Sequence, residues 1–136
     1  MLKWITILFT LFIIAVIISA DTGTLPFLVG WLYNFQNGDK LGHFILYGIL
    51  AFLLNKSALV LLPKRNPLRL VLAVSLLLAI LIGLEEWSQS LFPARTMSFV
   101  DLAASYAGVA LFAFLAFQQE KVMTAKGTKR AVEHES

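Results

Sequence analysis

Read as alternating apolar and polar blocks, the chain has four long apolar stretches, at residues 4–20, 41–62, 70–84 and 102–117. A helix that crosses a bilayer needs about 20 mainly apolar residues, within a range of about 17 to 25. The first stretch supplies 17 uncharged residues. The second carries Lys56 near its end, where a lysine can snorkel toward headgroups. The third has 15 residues and makes a full span only by running on to about Ser88, which puts Glu85 and Glu86 on its terminal turn. The predicted spans are therefore about 2–20, 39–60, 68–88 and 99–118. They form one all-α membrane domain over residues 1–119, an integral membrane four-helix bundle. Residues 120–136 are polar, mixed in charge and without apolar periodicity, so a cytoplasmic, disordered tail is expected there.

Composition sharpens this picture. Of 136 residues, 59% are hydrophobic and only 14% charged, against about 25% charged in an ordinary soluble domain. One small soluble core could not hide so much apolar surface. The net charge of +3 does not point to nucleic acid, because the basic residues flank the apolar stretches in separate clusters. Anionic lipid headgroups account for that pattern. There is no cysteine, hence no disulfide framework and no thiol chemistry.

Orientation follows from Lys and Arg in the short flanks. Lys3, Lys56, Lys64, Arg65, Arg69, Lys121, Lys126, Lys129 and Arg130 lie on one side of the predicted membrane, Lys40 and Arg95 on the other. Nine basic residues against two predict a multi-pass protein of the plasma membrane with both termini and the middle loop inside (N-in/C-in). A competing reading takes the start as a cleaved signal peptide ending at Ile18-Ser19-Ala20. Ile18 is a poor small residue for that purpose, and the apolar run is long. The first outer loop is itself apolar around residues 26–33, too short to cross and too greasy for water. It is expected to lie in the interface as an aromatic belt anchor, with a lid above a site as the alternative.

On this threading the polar residues that interrupt the spans collect at the outer face. Asp39, His43 and Tyr47 are spaced i, i+4, i+8 and share a helical face. Taken singly, Asp39 suits a helix N-terminus, Lys40 an interfacial lysine and His43 a hydrogen-bonded packing residue. Tyr47 lies deeper and needs a partner for its hydroxyl. Glu86 and Gln89 are spaced i, i+3. Adjacent glutamates point about a hundred degrees apart, so Glu86 is expected to face inward and Glu85 to meet water or headgroups. Phe92-Pro93 breaks the chain before Arg95, a fork suited to carboxylate or phosphate. Ser98-x-x-Asp101 reads as a capping box that opens the last span, and Gly108 allows a close helix approach.

Asp39-Lys40-Leu41-Gly42-His43-Phe44-x-x-Tyr47, then Glu86-x-x-Gln89, then Pro93-x-Arg95 with Asp101 and Gly108, together resemble the VanZ-like membrane family. The matching pieces cover somewhat more than half of the chain, from Asp39 to about Phe112. The family pattern has asparagine where this chain has Ser105, and often a second glycine where it has Phe112. The resemblance implies a small four-helix membrane protein, a link to low-level resistance to the glycopeptide teicoplanin, and a ligand site of Asp39, Lys40, His43, Tyr47, Glu86, Gln89, Arg95 and Asp101.

The residues leave three roles open. The site could bind or handle a lipid-linked cell-wall precursor or an anionic membrane lipid, with Lys40 and Arg95 on phosphate. It could catalyse acid–base chemistry on such a substrate through His43, Glu86 and Asp39. It could instead be an interhelical polar lock in a scaffold. No cofactor is expected. A divalent cation among the carboxylates is conceivable but not favoured, and zinc is disfavoured by a single nearby histidine and no cysteine.

Overall fold

The computed structural model describes residues 1–22, 38–93 and 97–136, without the side chains of residues 20, 21 and 39. Those residues are all helix or connection. The helices are α1 (Leu2–Asp21), α2 (Gly38–Leu61), α3 (Pro67–Ser88) and α4 (Phe99–Glu135), with a 3₁₀ turn at Gln89–Leu91 after α3. All four are long and apolar enough to cross a membrane, which fits a multi-pass membrane protein. The predicted spans agree with their bounds except at the last end. The apolar loop segment at residues 26–33 lies outside the described residues.

Local chemistry sets the helix ends. Asn66 caps α3, its Oδ1 accepting from Arg69 N at 3.2 Å, and Pro67 fills the first helical position, where a missing N–H costs nothing. At the far end the 3₁₀ turn stops at Phe92, whose extended backbone (φ −108°, ψ 129°) is what a following proline requires.

The tail departs from expectation. Rather than ending near residue 118, α4 continues to Glu135, a helix of 37 residues. Every side chain from 121 onward is exposed. The lack of an apolar face predicts disorder, but Gln, Glu, Lys, Met, Ala and Arg are strong helix formers and extend a helix already nucleated by the span.

Packing centres on α2, which touches α1, α3 and α4, its broadest contact being with α4. Leucines surround α3: Val71, Leu78 and Ile82 are buried while Leu72, Leu76, Leu77, Ile80 and Leu81 face outward. A helix apolar on every side is what a lipid surround selects. In lipid, helices do not associate by expelling water. Close packing of small residues and interhelical hydrogen bonds take over, and both occur here. Gly108 lies so close to α2 that a Cβ there would overlap the Phe44 carbonyl oxygen and sit 3.0 Å from its carbon. Across the same interface, a Cβ on Gly48 would come within 2.5 Å of Phe112 Cδ2. The aromatic ring at 112 thus fills the space opened by a glycine on the facing helix.

Hydrogen bonds between helices concentrate at two levels. At the level of the α2–α3 connection, the Thr6 and Ser57 hydroxyls meet at 2.7 Å, and Asn55 Nδ2 donates to Ser75 Oγ at 3.2 Å. Lys56 does not snorkel. It is 9% exposed and turns inward, its Nζ 3.7 Å from Glu120 Oε2 on α4, because α4 runs past the span and carries a carboxylate to it. Thr6→Val should weaken the docking of α1 by about 1 kcal/mol, read as a lower detergent-denaturation midpoint. Lys56→Met should cost more than Lys56→Met/Glu120→Leu, since the single change strands a carboxylate in a half-buried place. Equal midpoints for the two variants would contradict that reading.

Candidate functional site

The opposite end of the bundle holds the other polar level, and it contains most of the residues singled out in the sequence. The His43 and Tyr47 rings sit one turn apart on α2, centroids 5.8 Å apart, as their spacing predicts. Tyr47 donates its hydroxyl to Glu85 Oε2 at 3.1 Å. Gln89, 1% exposed, donates Nε2 to Glu85 Oε1 at 2.7 Å. Glu85 is half-buried, yet both its carboxylate oxygens accept bonds from within the bundle, which the expectation of a contact with water or headgroups alone did not include. It is the shared acceptor of a Tyr47–Glu85–Gln89 chain.

Glu86 also faces inward, as expected, and is 1% exposed. Its Oε1 accepts from the backbone N–H of Ser98 at 2.7 Å. Two neighbouring acids can both bond within the bundle because α3 packs against two helices at once. The arc of about 100° between successive residues lets Glu85 address α2 while Glu86 addresses the start of α4. The sequence predicts one inward-facing acid on α3; contact with two helices engages both.

The capping box is shared between helices. Ser98 is the N-cap of α4, and its Oγ accepts from Asp101 N at 3.3 Å. In a complete box the acidic residue three positions on would bond back to the cap's N–H. Here Glu86 of α3 takes that bond, and places a negative charge where the helix dipole favours it. Asp101 is released to face the site. Its Oδ1 is buried without a hydrogen bond among the described residues and lies 4.0 Å from Lys40 Nζ. That separation allows charge attraction but exceeds hydrogen-bonding range.

Ser105, fully buried, completes the cluster. Its hydroxyl lies 3.0 Å from Asp101 O and 3.1 Å from His43 Nδ1. A hydroxyl has one proton to give. That proton goes to the Asp101 carbonyl or to Nδ1, and the tautomer of His43 decides which. Ser105 thus ties His43 of α2 to the first turns of α4. Sequence reasoning had marked it only as a departure from the family pattern, yet its i+4 spacing from Asp101 was a usable signal.

Glu86 is within electrostatic reach of His43, Glu85 and Asp101, so α2, α3 and α4 do bring these groups into one cluster. Among the described residues, no three His, Cys, Asp or Glu side chains are grouped so as to hold a metal ion. The side chain of Asp39 and all of Arg95 lie outside the described residues.

Fold and site together define a helical protein with four potential membrane spans and a cluster of buried polar and ionisable side chains at one end. No family model, curated protein or solved structure matches the chain.

Proposed function

We propose that this polar end binds the headgroup of a lipid-linked component of the cell envelope, in a plasma-membrane protein whose termini lie inside and whose site faces outward. The observation that carries the reading is the convergence of His43, Tyr47, Glu85, Glu86, Gln89 and Asp101 from three helices at one end of an otherwise apolar bundle. Ionisable groups at a membrane rim are costly and mark sites of use. The cluster offers carboxylate oxygens and an imidazole to the hydroxyl and amide groups of a sugar–peptide headgroup. Lys40, with Arg95 as the sequence reading adds it, suits its phosphate. The skew of Lys and Arg between the loops supports the orientation. The resemblance to the VanZ-like family makes teicoplanin susceptibility the phenotype to examine.

Native mass spectrometry of the protein extracted with its lipids tests the proposal. The expected result is a headgroup-specific adduct, lost in Arg95→Ala and weakened in Lys40→Gln. An adduct unchanged in both variants rejects the phosphate clamp, and absence of any such adduct rejects the binding role.

A second reading, the scaffold, has its own support. Glu85 and Glu86 are both hydrogen-bonded within the protein, and one of them completes a helix cap. If the site is only a lock, Tyr47→Phe and Glu86→Ala lower stability in detergent and leave lipid retention untouched.

A further inference from the structure

A groove of about 420 Å³ runs between α3 and α4, away from the polar site. Its lining includes Leu68, Leu72 and Ala79 of α3 and Ala110, Phe114 and Phe117 of α4. Its lining extends over residues 68–79 on one helix and 106–117 on the other, about 17 Å at 1.5 Å per residue. That is close to the depth of hydrocarbon in one leaflet, roughly 15 Å. The groove occupies the half of the bundle nearest the α2–α3 connection.

The end of the trough is basic. Arg69 follows Leu68 directly, and Lys64 and Arg65 stand in the connection just before α3. On α4, Lys121 lies one turn beyond Phe117 and holds its ammonium 5.7 Å from the centre of that ring. Four cations thus border one mouth of an apolar trough one leaflet deep. Apolar length alone would accept any acyl chain. The cationic border selects an anionic headgroup, each Lys or Arg near a membrane surface contributing about 1 kcal/mol toward it.

We infer that this groove is a binding site for one anionic diacyl phospholipid, with an acyl chain between α3 and α4 and its phosphate at Arg69 and Lys121. The site is separate from the polar end and independent of the function proposed for it.

The test uses the full-length protein in detergent, titrated with phosphatidylglycerol or phosphatidylcholine of identical acyl chains and followed by native mass spectrometry. The inference expects one phosphatidylglycerol retained under conditions that strip phosphatidylcholine. Retention should fall about five-fold for each basic side chain lost in Arg69→Gln and in Lys121→Gln. It should also fall in Ala110→Trp, which fills the trough from an exposed position. Unaltered helical circular dichroism would show that these variants are folded. Equal retention of the two lipids, or retention unchanged in the charge variants, overturns the inference. So does a wild-type dimer that Ala110→Trp splits, since the trough would then hold a second copy of the chain. An Arg95→Ala variant that keeps this lipid but loses the adduct of the polar end separates the two sites.

Discussion

Replacing Gly108 by alanine is expected to disrupt the bundle more than any other single-methyl addition. The new Cβ would overlap the carbonyl oxygen of Phe44, and a backbone carbonyl within a helix cannot swing aside as a side chain can. Relief requires separating α2 from α4, the most extensive pair of helices in the structure. Overpacking of well-packed contacts costs about 1–3 kcal/mol, and a clash against backbone belongs at the upper end. The separation would also lengthen the contact between His43 and Ser105, since residues 105 and 108 occupy adjacent turns of one face. Gly108→Ala should therefore lower the denaturation midpoint in mixed micelles and weaken retention of any ligand at the polar end. Two comparisons calibrate the result. Gly83→Ala meets only the Tyr106 hydroxyl at 2.9 Å, the tip of a side chain that can move, and should be mild. Gly48→Ala meets the Phe112 ring and should be partly rescued by Phe112→Leu. A Gly108→Ala protein as stable as the wild type would show that α2 and α4 do not pack as described.

The second large effect is expected at Glu86. Truncation to alanine removes the acceptor for the Ser98 N–H, empties a buried volume and takes a negative charge from the start of α4. An abandoned donor costs about 1–3 kcal/mol, and the lost dipole interaction adds about 0.3–1 kcal/mol. Glu86→Gln keeps an amide oxygen for the same bond and should lose much less. Loss of the Ser98 hydroxyl in Ser98→Ala should cost about 1 kcal/mol. Because both residues hold one turn, the double variant Glu86→Ala/Ser98→Ala should lose less than the sum of the two singles. Chemical denaturation followed by circular dichroism reads all four proteins. Strict additivity, or an alanine variant no worse than the glutamine one, would mean that Glu86 does not cap α4.

The four helices could be read from the sequence because hydrophobic length is a strong, one-dimensional signal, and three of them end near where turn chemistry puts their limits. Much of the site was legible too. Asp39, His43 and Tyr47 fall on one helical face by count, and Ser98-x-x-Asp101 announces the cap. What could not be read is which neighbour each side chain meets. The inward turn of Glu85 depends on α3 touching two helices, which no local pattern encodes. The pairing of Lys56 with Glu120 depends on α4 staying helical beyond its apolar part, a matter of propensity outside the window in which hydropathy speaks. Ser105 gains its role from His43, 62 positions earlier.

The bond from Glu86 to Ser98 has a consequence for how the chain is made. The acid precedes its partner by 12 residues, so a ribosome must emit the whole connection before that charge can be neutralised by the cap it serves. Insertion of the third and fourth segments as a hairpin would satisfy both at once. A nascent polypeptide arrested ahead of Ser98 would instead expose the lone carboxylate to the translocon or to hydrocarbon, a form for membrane quality control to recognise.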